Sequence, residues 1–283
     1  MPENDLLARG KAAPKQQWPQ PHRATDPTPE RAYRRNRLAL ALRLFGRLGF
    51  EEGVAGHISC RDPEDPHLFW VNPFGLPFSR TRTEDLLLVD ADGEIREGTG
   101  RVNIAAVAIH AAVLTARPEV TSVAHAHSLY GKAWSSLGRL LEPLTQDSCA
   151  FHRDHVLVPY GGLALTHQEG ERIAEGLGSC KAAILANHGL LTVGNTVDEA
   201  AWWFVSMEGA CRGQLLAEAA GTPKPLPDAL AADAGAGPVT ESIRRHAWSS
   251  FQVLVDSMPD LQEQDSSQQS APSLSNGAGE VNP

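Results

Sequence analysis

Apolar and polar positions follow two different periods along this chain, and the switches between them divide it into elements. Between Pro29 and Leu48, the apolar residues Leu38, Leu42, Leu44 and Phe45 recur among arginines at helical spacing, and Gly49 supplies the stop. Short runs with strand character follow in ISCR, LFWVN and LLLVD, and DADGEI reads as an Asp-Gly hairpin turn. Helical spacing returns from Ile104 to Ala116 and is broken by Arg117-Pro118, after which VTSVAHAHS reads as a strand. The pattern then predicts a helix over Leu129 to Leu137, a strand over His155 to Pro159 and a helix over Gln168 to Leu177. A buried strand over Lys181 to Ala186 and a long helix over Thr196 to Ala220 complete it. Strands alternating with helices in this way predict an α/β sandwich built as one domain.

The flanks are patterned differently. Residues 1–28 are rich in Pro, Gln and Lys without apolar periodicity, which predicts a disordered arm, and the low-complexity residues 263–283 predict a disordered tail. Neither carries enough apolar surface to offset an ordering entropy of roughly 1–2 kcal/mol per residue. Trimming the chain after Gln262 is therefore expected to leave its thermal stability nearly unchanged. The domain proper is expected over 29–221. Residues 222–262 read as a Pro/Ala/Gly linker and a docked amphipathic helix, whose apolar side carries Val239, Ile243, Ala247, Phe251, Leu254, Val255 and Met258.

Composition narrows the function classes. Of 283 residues, 42% are hydrophobic, ample for a sizeable core, while a formal charge of -9 leaves no basic field for nucleic acid or anionic membrane. Apolar stretches are interrupted well before the ~20 residues that a bilayer span requires, and the N-terminus lacks a signal-peptide apolar core, so a cytoplasmic location is expected. Cys60, Cys149, Cys180 and Cys211 lie far apart with no C-x-x-C spacing and read as core thiols. There is no G-x-S-x-G, Walker loop or Rossmann glycine fingerprint, and so no support for a serine hydrolase, an NTPase or a dinucleotide enzyme.

The chemistry-bearing residues are histidines. In a strand, His-x-His sends both imidazoles to one side, so His125 and His127 face together, and His188 in NHGLL can close the set on one divalent metal. The alternative is a chance pair on a half-exposed strand. His57 in GHIS is a candidate substrate contact, as an anion contact or as a donor behind the metal ligands, or else a turn stabiliser. His110, mid-helix, reads as a packed or bridging core histidine rather than a ligand, His152 and His155 as candidates for the rim, and Asp62 to Pro66 as a solvated turn. Trp70, Phe74, Phe78, Trp134 and Phe151 either line a pocket for an aromatic ligand or fill the core.

These landmarks in order resemble the class II aldolase/adducin superfamily: GVAGHISCR, NPFGLPFS, a helix with His110, RPEV, HAHS, and NHGLLTVG followed by TVDEA. The resemblance implies a three-layer α/β/α sandwich around a mainly antiparallel sheet. It also implies a homotetramer with its metal near a subunit interface, and places that metal on the positions of His125, His127 and His188. Two departures bear on function. Sugar-phosphate aldolases of the family carry a Ser-Ser-Glu run, for phosphate contacts and acid/base work, where this chain has Ile104, Ala105 and Ala106. They also have Ser or Thr on a phosphate loop where Phe74 precedes Gly75. None of these side chains can bind a phosphate or move a proton, so a phosphorylated sugar is a poor candidate and the catalytic acid/base is unassigned.

Three readings follow. The first is a non-haem iron oxygenase that oxidatively decarboxylates an arylpyruvate, as superfamily members of the aminocoumarin antibiotic pathways do with a prenylated 4-hydroxyphenylpyruvate. Here Fe(II) is the favoured ion, and Phe74, Ile104, Ala105 and His57 contact the substrate. The second is a Zn(II)- or Mn(II)-dependent aldolase, dehydratase or decarboxylase acting on a small non-phosphorylated acid. The third is an adducin-head-like interaction module without catalysis.

Overall fold

The computed structural model describes residues 26–235 and 241–263. The expected terminal arm lies, up to residue 25, outside the described residues, as does the tail from 264 onward. Helix α1 (Pro27–Arg47) begins where Asp26 caps it by accepting the backbone N–H of Thr28 at 3.0 Å. Eight strands follow: β1 (His57–Arg61), β2 (Phe69–Val71), β3 (Leu87–Val89), β4 (Ile95–Glu97), β5 (Ser122–Ala126), β6 (His155–Val158), β7 (Ala182–Leu185) and β8 (Gly189–Gly194). They form one sheet in the order β4-β3-β2-β1-β5-β8-β7-β6, antiparallel throughout except for the parallel β6–β7 pair. Helix α2 is continuous from Ile104–Ala106 through a π-turn at Val107–Ala111 to Ala112–Ala116. The others are α3 (Leu129–Ser135), α4 (His167–Leu177), α5 (Val197–Ala220), α6 (Asp228–Gly235), α7 (Glu241–Asp256) and α8 (Asp260–Glu263).

Strand alternation sorts the core into two layers. One face sends Ile58, Cys60, Trp70, Ala124, Ile184 and Leu190 against α1, α3, α5 and α7. The other sends Val71, Val123, Leu185 and Leu191 against α2 and α4. This is the expected α/β/α sandwich with a mainly antiparallel sheet. Trp70, Phe78, Trp134 and Phe151 are buried, so they fill the core, and Cys60, Cys149 and Cys211 are buried free thiols. Among the described residues no helix is long and apolar enough to cross a membrane.

The structure departs from the sequence reading in four places. β8 is a full strand next to β5, where the pattern had marked only Lys181 to Ala186. Its GLLTVG is short, bounded by glycines and buried throughout, which hides any alternation. The stretch read as linker contains α6, whose Ala231 is fully buried. Asp62, expected in a solvated turn, is 1% exposed and accepts from Arg31 Nε at 2.7 Å, Trp70 Nε1 at 2.7 Å and the Glu64 and Asp65 backbone N–H groups. Its carboxyl is pushed up by burial, but those donors outweigh burial and hold it below the usual carboxylate range. Finally, the π-turn in α2 has no signature in the local pattern.

Candidate metal centre

The site forms where the end of β5 meets the turn between β7 and β8. His125 shares the α2/α4 face of the sheet with Val123, and His127 follows immediately after the last residue of β5. His188 stands in the turn between β7 and β8, its N–H donating to Leu185 O at 3.0 Å. The neighbouring Asn187 takes the left-handed conformation (φ 58°) and donates its N–H to Ser135 O. Gly189 is required by close approach, since a Cβ there would stand 2.9 Å from Ala126 O and within contact of both His125 and His127. The backbone thus brings His188 beside a pair some sixty positions earlier in the sequence.

The ligand nitrogens of His125, His127 and His188 lie within 4.8 Å of one another. Ions of this class bind imidazole at about 2.1 Å, so small inward shifts of the rings would close the set on one ion. The rings are also in the right chemical form. His125 donates Nδ1–H to Leu190 O at 2.8 Å, which leaves Nε2 as a lone pair. Burial, followed by neighbouring His188 and His57, pulls its pKa well below the usual histidine value. Burial also lowers His127, opposed by Glu52 and helped by Lys132, and takes His188 down to about 4. Neutral imidazoles are the metal-binding form, so the donor set fits a divalent ion.

Charged groups act on this centre. Glu52 and Lys132 form an ion pair close enough to act on His127, and Glu169, paired with Arg172 at 2.8 Å, acts on His188. Phe74, Ile104 and Val54 are exposed at 44%, 62% and 54%. Their segments are tied together: Phe74 N–H donates to Arg101 O at 2.7 Å, and Asn103, which caps α2 by accepting Ala105 N–H, reaches Val54 O. Ala105 is half-buried and Ala106 fully buried among the α2 core residues, so no acid or base stands at that place.

His57 is buried on β1 directly opposite His125 in the ladder, with ring centres 5.0 Å apart. His110, expected as a packed or bridging core histidine, bridges His57 and Ser59. The signal was available in part, because His57 and Ser59 stand two apart in a strand and must share a face. His152 and His155 do not rim the site. His152 meets Asp228 at 3.0 Å, and His155 is buried at the far edge strand between Leu141 N–H and Phe151 O. One contributor carried no sequence signal. Glu208 of α5 accepts from Ser128 Oγ and from the Tyr130 and Gly131 backbone N–H groups at the start of α3, directly after His127.

Known proteins resemble this chain over most of its length. Residues 36–215 match the model of the Class II Aldolase and Adducin N-terminal domain. A 4-hydroxy-3-prenylphenylpyruvate oxygenase/4-hydroxy-3-prenylbenzoate synthase from Streptomyces roseochromogenus subsp. oscitans is 46% identical over 82% of this chain and 85% of its own length. A protein named decarboxylase NovR from Streptomyces niveus is also 46% identical, over 82% of this chain and 87% of its own. Among solved structures, an L-fuculose 1-phosphate aldolase from Glaciozyma antarctica PI12 superposes with TM-score 0.77 at 42% identity, covering 85% of this chain and 96% of that one. With the matched region spanning the whole sheet and all three histidines, the chain belongs to the class II aldolase and adducin N-terminal domain family.

Proposed function

We propose that this protein is a metal-dependent enzyme that oxidatively decarboxylates an arylpyruvate. His125, His127 and His188 would hold one divalent ion, Fe(II) by preference, with Zn(II) or Mn(II) possible. Such an ion, when bound, supplies a positive centre for a chelating 2-oxo acid and, as iron, reactivity toward dioxygen. The observation that carries the reading is the residue type at the positions where the resemblance puts phosphate contacts and an acid/base, which here are Phe74, Ile104, Ala105 and Ala106. Phe74 and Ile104 present exposed apolar surface, and Ala105 and Ala106 have nothing with which to donate or ionise. Those residues favour an aromatic ring over a phosphate ester. The name of the Streptomyces roseochromogenus relative, a prenylphenylpyruvate oxygenase, supports the same substrate class, and that of decarboxylase NovR supports the loss of carbon dioxide.

The chain's own residues divide the remaining work. His125, fixed by Leu190 O, keeps its lone pair aimed away from the strand. The ion pairs Glu52–Lys132 and Glu169–Arg172 place fixed charges beside His127 and His188. A second reading, a Zn(II)- or Mn(II)-dependent lyase on a small hydroxy or oxo acid, is favoured by the likeness to the Glaciozyma aldolase. Oxygen uptake and carbon dioxide release by iron-loaded protein, measured with a panel of arylpyruvates, decide between them. Stoichiometric uptake and release support the oxygenase. Silence with iron, together with cleavage of a hydroxy-acid aldol by the zinc form, would replace it with the lyase.

A further inference from the structure

Behind the three histidines runs a chain of buried polar groups. Ser59 and His57 face the same side of β1, and His110 meets both from the π-turn of α2. His110 Nδ1 lies 2.6 Å from Ser59 Oγ, and His110 Nε2 lies 2.7 Å from His57 Nδ1. All three residues are at most 1% exposed. A π-turn adds a residue to one turn of helix and so changes the direction in which His110 projects.

Counting hydrogens gives this chain a direction. The Ser59 hydroxyl has one proton to donate, and His110 is its partner among the described residues. If His110 Nδ1 carried the proton, Ser59 would accept and its own O–H would be buried without an acceptor, a costly arrangement. The satisfied arrangement has Ser59 O–H donating to His110 Nδ1 and His110 Nε2–H donating to His57 Nδ1. The remaining proton then sits on His57 Nε2, which among the described residues has no hydrogen-bond partner. An added proton on either ring leaves this outcome unchanged, because each such form also keeps His57 Nε2 protonated.

We propose that His57 is a fixed hydrogen-bond donor whose Nε2–H is presented to an anionic oxygen of the substrate, and that Ser59 and His110 are the positioning residues that set this polarity. His57 is accordingly not a fourth metal ligand, since ligation through Nε2 needs the lone pair that the chain from Ser59 replaces with a proton. The oxygen it fits is that of a carboxylate, and the assignment to a 2-oxo acid rests on the proposed function above. A donor to a charged acceptor is among the stronger hydrogen bonds a side chain makes.

Two measurements test it. Nitrogen NMR of histidine-labelled protein, metal-free and zinc-loaded, is expected to show His57 protonated at Nε2 in both forms. Ser59→Ala should turn that tautomer into a mixture, which a purely structural role would not do. Protonation of wild-type His57 at Nδ1 would overturn the proposal. Calorimetry of 4-hydroxyphenylpyruvate on zinc-loaded protein supplies the second arm. His57→Leu is expected to bind roughly tenfold to a hundredfold more weakly, and His57→Gln, which keeps an N–H, less so. Zinc content should stay at the wild-type value in both. Zinc lost from His57→Leu as completely as from His125→Ala would make His57 a ligand and overturn the assignment, as would unchanged affinity. Should wild-type protein bind no 2-oxo acid, the substrate half fails, and the tautomer alone decides whether His57 is a donor.

Discussion

Glu208 provides a quantitative test of how the site is held. Its carboxylate, 5% exposed, accepts from Ser128 Oγ at 2.6 Å, Tyr130 N–H at 2.9 Å and Gly131 N–H at 2.6 Å. Tyr130 and Gly131 lie in the first turn of α3, whose N–H groups have no partner inside the helix, and Ser128 does not cap them itself. The helix is therefore capped from α5, across nearly eighty residues of sequence. Gly131 lets α3 lie close against β8, because a Cβ there would stand 2.6 Å from Leu190 Cγ and 2.8 Å from Ser128 Oγ. Glu208→Ala leaves two backbone donors and a hydroxyl buried without acceptors. At about 1–3 kcal/mol for each stranded donor, less what entering water recovers, the loss should be roughly 3–5 kcal/mol. Glu208→Gln keeps one acceptor oxygen but removes the charge at the helix N-terminus, for a loss of about 1–2 kcal/mol. Urea unfolding of the metal-free protein reads both, provided the m-value is unchanged. Because α3 begins directly after His127-Ser128, Glu208→Ala should also bind zinc more weakly than wild type. A loss below about 1 kcal/mol for Ala, or equal losses for Ala and Gln, would refute the capping account.

Three further outcomes are expected. His125→Ala and His188→Ala should each lose most bound metal, since each removes one of three protein ligands, and unchanged metal per subunit in both by elemental analysis would sink the site. Phe74→Ser and Ile104→Ser should weaken 4-hydroxyphenylpyruvate binding in calorimetry by about 1 kcal/mol each, below the figure for full burial because both are partly exposed, while leaving the melting temperature in place. Acid should destabilise the metal-free protein in two windows. His57, His110 and His125 are held well below the usual histidine value by burial, so their stabilisation is complete above about pH 6.5 and falls as the unfolded chain takes up protons that the buried rings refuse. Asp62, with its folded pKa depressed, contributes stability above about pH 3.9 that is lost as pH falls through the folded value. Denaturation midpoints across pH check both windows; Asp62→Asn should flatten only the lower one, and a profile without the upper loss would contradict buried neutral histidines.

Local sequence determined a good deal of this protein. The two-residue period placed His125 with His127 and, in β1, His57 with Ser59, because strand side chains alternate whatever the rest of the chain does. Helical spacing located every long helix around the sheet though not α6, and Arg117-Pro118 ended α2 where the sequence says it must. The absence of polar side chains at Ile104, Ala105 and Ala106 was equally legible, since it depends only on residue type.

Tertiary structure decided the rest. β8 could be recognised as a strand only beside β5 and β7, since a short run buried on both faces has no alternation to reveal it. Asp62 belongs by composition to a solvated turn, yet Arg31 and Trp70, distant from it along the chain or across a hairpin, draw it into the interior and supply its donors. His110 bridges its partners because of a π-turn, and Glu208 caps a helix to which nothing in its own neighbourhood points. Periodicity fixes the face on which a side chain stands, because that follows from backbone geometry alone. Which polar groups then meet across fifty or eighty residues follows from how the layers pack, and at that level buried donors must find acceptors wherever the chain brings them.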